Sequence, residues 1–158
     1  MSKNIPEKQK NEKQKTNEGG VYEKDIYKRE IFGKRAHEYA KLFPPMSKAE
    51  FEAIVEDVRL NGLVDPVVLY EGKILDGVHR LWACFKTGTE PRYQEWTDEG
   101  VTPLQYVWSK NWSRRSLTQS QRAVIALSAE KEFAAEARKR MSSKARSAGG
   151  VEKIPHLD

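Results

Sequence analysis

The sequence predicts a small α+β domain with a long helix leaving its C-terminal side. Two observations carry this. Between residues 47 and about 140, segments of helical and strand periodicity follow in the order helix, hairpin, helix, strand, helices. Both ends of the chain, in contrast, are polar and rich in Lys, Glu, Ser or Gly.

The chain has 158 residues, enough for one domain with flexible ends. Residues 1–20 are polar and end at Gly19-Gly20, so they bury too little to offset ordering entropy and are expected to be disordered. Val21, Tyr22, Ile26, Tyr27, Ile31 and Phe32 suit a short helix or arm, and the compact domain is expected from His37 to Leu117. Pro44-Pro45 ends any earlier helix. Ser47 with Glu50 forms a capping box, and Phe51, Ile54, Val55 and Val58 share one face of the helix that follows, which Gly62 stops. Val67-Val68-Leu69-Tyr70 and Lys73-Ile74-Leu75 read as strands joined by a tight Glu71-Gly72 turn. Gly77 permits a sharp passage into a second helix carrying Leu81, Trp82, Cys84 and Phe85, ended by Gly88. Arg92 to Trp96 suits a third strand. Thr102-Pro103 is an N-cap followed by proline in the first turn, with Leu104, Val107 and Trp108 on the apolar side. Residues 111–116 read as a polar connector. Thr118 with Gln121 is a second capping box. It opens the long basic helix, 118–146, with Val124, Leu127, Ala134, Ala137 and Met141 expected on its apolar side. Residues 147–158 read as a flexible tail.

No apolar run approaches the roughly 20 residues that span a bilayer, so no membrane partner is expected. The single cysteine, Cys84, fits a reducing compartment, and a cytoplasmic location is expected. Three histidines and one cysteine make a Cys/His zinc site improbable. Net charge is +5, unevenly spread: 110–146 holds ten Lys/Arg against three Asp/Glu, or +7, leaving −2 for the rest. A basic block beside a near-neutral domain suggests a polyanion partner, DNA first, although a solvated helix face has the same composition.

Two constellations carry chemistry. In Asp76-Gly77-Val78-His79-Arg80 a strand delivers the chain to a glycine at a helix start, where backbone N–H groups favour an anion. Arg80 offers a two-pronged phosphate contact, His79 a hydrogen bond, and Asp76 a metal, ribose or proton contact. A plain N-cap with a solvated first turn has the same pattern. Asn111-Trp112-Ser113-Arg114-Arg115-Ser116-Leu117-Thr118 gathers the donor types a triphosphate or nucleic-acid backbone requires. Arg138, Lys139, Arg140, Lys144 and Arg146 are candidates for DNA-backbone contacts, and Trp112 is the best placed of the four tryptophans to stack on a base.

With those segments in view, the stretch from His37 to about Leu127 resembles the N-terminal domain of ParB-family partition proteins. Val58 to Leu69 looks like the family's helix, Gly-Leu and Pro-Ile-Val strand segment. Gly77 to Ala83 lies where the family carries Gly-Glu-Arg-Arg-x-Arg-Ala, and Asn111, Arg114 and Leu117 match its Asn-x-x-Arg-x-x-Leu. The resemblance implies a small mixed sheet flanked by helices, the ParB/sulfiredoxin fold. It also implies that CTP binds with magnesium, with ATP or ADP as alternatives, in a DNA-associated partition or regulatory protein of plasmid or phage type. Carried over, Gly77, His79 and Arg80 become phosphate contacts, with Asn111, Arg114 and Arg115 on the opposite wall. No metal is expected without nucleotide, and a homodimer is an expected partner. Val78, His79 and Trp82 stand where the family's box has Glu, Arg and Arg. Sulfiredoxin's box, Gly-Cys-His-Arg, has a reactive cysteine where this chain has Val78, which cannot act as a nucleophile. A free-serine kinase on the same fold has a box resembling Asp-Gly-x-His-Arg. By that likeness Glu38 and Asp76 are candidate catalytic residues, and phosphotransferase, nucleoside triphosphatase or nuclease activity is the alternative expectation. The end of the DNA-binding helix-turn-helix that follows in ParB proteins is not found before Asp158; only the look of its first helix, at Thr118 to Ala123, is present.

Overall fold

A computed structural model describes residues 26–97, 100–113 and 116–148. The polar segment 1–20, Val21 and Tyr22 of the expected arm, Arg114, Arg115 and residues 149–158 lie outside the described residues.

The element order is a 3-10 helix Glu38–Leu42, α1 Lys48–Asn61, β1 Val67–Tyr70, β2 Lys73–Asp76, α2 Val78–Thr87, β3 Tyr93–Glu95, α3 Pro103–Trp112 and α4 Gln119–Ala148. The chain is therefore α+β, with a three-stranded mixed sheet ordered β2-β1-β3. β1 and β2 pair antiparallel through a two-residue hairpin, and β1 and β3 pair parallel. Glu71 and Gly72 both take positive φ, 52° and 73°, as a tight hairpin turn of matching twist requires. The outer edge of β2 is covered rather than open: Ile74 exchanges backbone hydrogen bonds with Arg35 and His37, both 2.8 Å.

The continuous apolar reading of β1 has a structural cause: the sheet is buried on both faces. Val67, Leu69 and Ile74 point into a core with Phe51, Val55, Val58, Leu81 and Cys84 of α1 and α2. Val68 and Leu75 point the other way, onto Phe43, Val107 and Ile125. Each fully buried side chain of this size contributes roughly 1.5–3 kcal/mol relative to exposure.

Helix starts follow the side-chain caps. Ser47 and Glu50, Thr102 and Gln105, and Thr118 and Gln121 all make reciprocal capping bonds. Three expectations change. The packed region begins before His37, because Ile26 and Ile31 are buried and Trp82 Nε1 donates to the Ile26 carbonyl at 3.0 Å; of the expected short helix or arm, the described part, 26–36, is an arm of turns and isolated bridges. α3 runs through Asn111 to Trp112 instead of stopping before the connector. On α4 the packed residues are Ile125 and Ala129, while Val124, Leu127 and Met141 are exposed. Phe133 set edge-on to Trp108 and Glu136 accepting from the Thr102 hydroxyl at 3.0 Å extend the packed side of α4. Tertiary partners, not the local apolar count, chose the face. Among the described residues no helix is long and apolar enough to cross a membrane.

Candidate functional site

A cleft of about 490 Å³ opens where β2 ends, bounded by the loop after α1, the start of α2, and α3. Asp76 is the last residue of β2, Gly77 caps α2 in a left-handed conformation (φ 98°, ψ 22°), and Val78 is the first helical residue. Only glycine is comfortable there: a Cβ on Gly77 would lie 3.0 Å from Arg80 Nη2. Arg80 folds back over Gly77. Its Nη2 donates to Asp76 Oδ2 at 2.8 Å, and Nη1 donates to the Asp65 carbonyl at 3.3 Å and lies 3.7 Å from Asp65 Oδ2. The Asp76 and Arg80 side chains are 19% and 24% exposed, so their ion pair is only partly screened by water. The loop carrying Asp65 is tethered from β3's side, where Arg92 donates to the carbonyls of Leu63 and Val64.

His79 is buried and serves the framework of the cleft. The Met46 amide donates to its Nε2 at 3.0 Å, which puts the proton of the neutral ring on Nδ1. Tyr27 and Phe51 meet the ring edge-on at 6.0 and 6.4 Å. His79 thus orders the loop 44–46 against α2, a role that its place in a phosphate-type motif does not disclose.

On the opposite wall, α3 presents Tyr106, Lys110 and Asn111. Asn111 Nδ2 donates to the Val107 carbonyl at 2.9 Å, one turn back, leaving one N–H and the amide oxygen for other contacts. The cleft therefore unites Asp76, Gly77, His79 and Arg80 with Asn111, residues more than thirty positions apart in sequence. Arg114 and Arg115 lie outside the described residues. Lys110, Tyr106, Gln94, Asp57 and Asp65 also line the cleft, although no sequence motif singles them out. The signal that could have found Lys110 is its i,i+4 spacing from Tyr106, beside Asn111, once α3 is known to continue to Trp112.

Glu38 is not brought into the cleft. Its carboxylate is 71% exposed and accepts from Lys41 Nζ at 2.7 Å, a bond that holds its pKa below the ordinary value. Trp112 is committed to packing. It stacks on Trp108 at 4.5 Å and 17°, and the Arg122 guanidinium lies 4.9 Å from its ring centre. These contacts make Trp112 part of a seam between α3 and α4. Cys84 is fully buried, and burial pushes its thiol pKa up, in keeping with core packing. Arg138, Lys139, Arg140, Lys144 and Arg146 are exposed on the C-terminal half of α4. Among the described residues, no three His, Cys, Asp or Glu side chains gather as a metal site would require.

The chain matches no protein-family model, no curated protein and no solved structure.

Proposed function

We propose that the chain is a ParB-like nucleotide-binding module associated with DNA, and that the cleft between α2 and α3 receives the phosphates of the nucleotide. One observation carries this reading: the strand-glycine-helix segment at Asp76 to Arg80 and Asn111, the first residue of the second segment, line the same cleft. Each segment alone is a common pattern. Their convergence at a helix start, where backbone N–H groups are free of intrahelical partners, is what an anion site requires.

CTP is the favoured ligand by the family likeness, with ATP and ADP as alternatives. Magnesium would arrive with the nucleotide, and Asp76, the last residue of β2 before α2, is the candidate carboxylate to meet it. The exposed cations of α4 would meet the DNA backbone without reading bases. A homodimer is part of this reading, and light scattering with and without nucleotide tests it. The phosphotransferase alternative receives less support, since of its two candidate residues Asp76 lines the cleft and Glu38 does not.

Calorimetric titration of the full chain with CTP, ATP and ADP, each with magnesium, tests the proposal. Saturable binding of at least one nucleotide below millimolar concentration is expected. No heat from any of them at millimolar concentration would overturn it.

A further inference from the structure

The cations lining the cleft among the described residues are Arg80 and Lys110, and they are not equally available. Arg80 is held on two sides: by Asp76 at 2.8 Å, and by Asp65 through a carbonyl at 3.3 Å and a carboxylate at 3.7 Å. Taken together, Arg80, Asp76 and Asp65 carry a formal charge of −1, which offers an incoming polyanion no net attraction. His79 accepts a hydrogen bond from the Met46 amide and is packed against aromatic rings, so its ring is engaged in the framework. Lys110 differs. Its ammonium lies 5.4 Å from the centre of the Tyr106 ring, a weak contact near the outer reach of a cation–π interaction, and none of the ion pairs among the described residues includes it. An ammonium on a flexible four-carbon stem can leave such a contact and follow a phosphate.

We propose that, of the two cations lining the cleft among the described residues, Lys110 rather than Arg80 is the one that receives the phosphates of a nucleoside polyphosphate. Arg80 is restrained by Asp76 and joins the ligand only to the extent that this ion pair is loosened. The inference rests on the reading of the cleft as a nucleotide site and names the residue that decides its affinity.

The experiment titrates the wild-type chain, Lys110→Ala, Lys110→Gln and Asp76→Asn with magnesium-CTP and, separately, with sodium tripolyphosphate, after thermal melts show each variant folded. Both Lys110 variants are expected to weaken tripolyphosphate and CTP roughly ten- to a hundredfold, the range for losing a charge-assisted contact. Asp76→Asn is expected to tighten tripolyphosphate severalfold, because the Arg80 guanidinium is released. Lys110 variants that bind within twofold of wild type overturn the inference, whatever Asp76→Asn does. If tripolyphosphate binds in a Lys110-dependent way and no nucleotide binds, the Lys110 assignment stands and the nucleotide reading falls. If neither ligand binds the wild type, both fall.

Discussion

Gly77 and His37 show how much single positions decide in this molecule. Gly77 carries the chain from β2 into α2 at φ 98°, and any Cβ there meets the Arg80 guanidinium. Gly77→Ala should lose about 1–2 kcal/mol, the cost of a left-handed conformation for a residue with a Cβ. A urea titration would show this as a lower midpoint with an unchanged slope. His37 sits buried between Tyr39 and Tyr70, with its Nδ1 capping the 3-10 helix and its Nε2 3.7 Å from Glu71. Burial lowers its pKa, opposed by Glu71, assisted by Lys73 and opposed again, more weakly, by Glu38. The unfolded chain, with an imidazole near its ordinary value of about 6.5, then binds the proton more readily than the folded one. Stability should fall as pH drops below about 6.5 and level off once pH passes the lowered folded value. Urea midpoints between pH 7.5 and 5.5 would follow this, and His37→Asn, which keeps a capping side chain, should flatten the dependence. The carboxyls of Glu38 and Glu52 are lowered first by hydrogen bonds from Lys41 and Lys86, so they act only near and below their ordinary 4.5.

At the scale of elements, local chemistry set where helices begin and tertiary contact set which face they bury. Three reciprocal caps start α1, α3 and α4 where Ser47, Thr102 and Thr118 stand, because these bonds lie within four residues of chain. The extent of α3 was less legible. Asn111 reads as a connector residue, yet its side chain bonds back to Val107 and Trp112 stacks on Trp108, so helix continues under both. The packed side of α4 is hidden from local pattern for a related reason. Its sequence holds apolar residues on two sides, and only the second core, with Val68, Leu75, Val107 and Phe43, determines that the side carrying Ile125 is the enclosed one. Ile125→Ala should cost about 2–4 kcal/mol in chemical denaturation, while Val124→Ala should stay within about 0.5 kcal/mol. Equal losses at the two positions would show that α4 packs through a different face.

Across the whole molecule, a sheet buried on both faces brings the start of α2 and the end of α3 to one cleft and sends α4 outward with its cations exposed. If those cations contact DNA phosphates, retardation should weaken steeply with salt, with a log–log slope near −0.9 per phosphate neutralised. Replacing Lys139 and Arg140 by alanine should make that slope shallower by roughly one unit per lost contact, for unrelated sequences alike. A salt-independent retardation would exclude backbone binding by α4. The sequence by itself determined the α+β class, the element order, the caps and the glycine at the strand-to-helix passage, because each depends on residues within a few positions of one another. Only the tertiary structure decided that Asp76 and Asn111 share a cleft, that Glu38 lies away from it, that His79 braces the loop before α1, that Trp112 is spent on packing, and that Arg80 is held by two aspartates while Lys110 is not. Those outcomes depend on which side chains meet across elements far apart in the chain, and that is settled by how the two cores close around the sheet rather than by any local pattern.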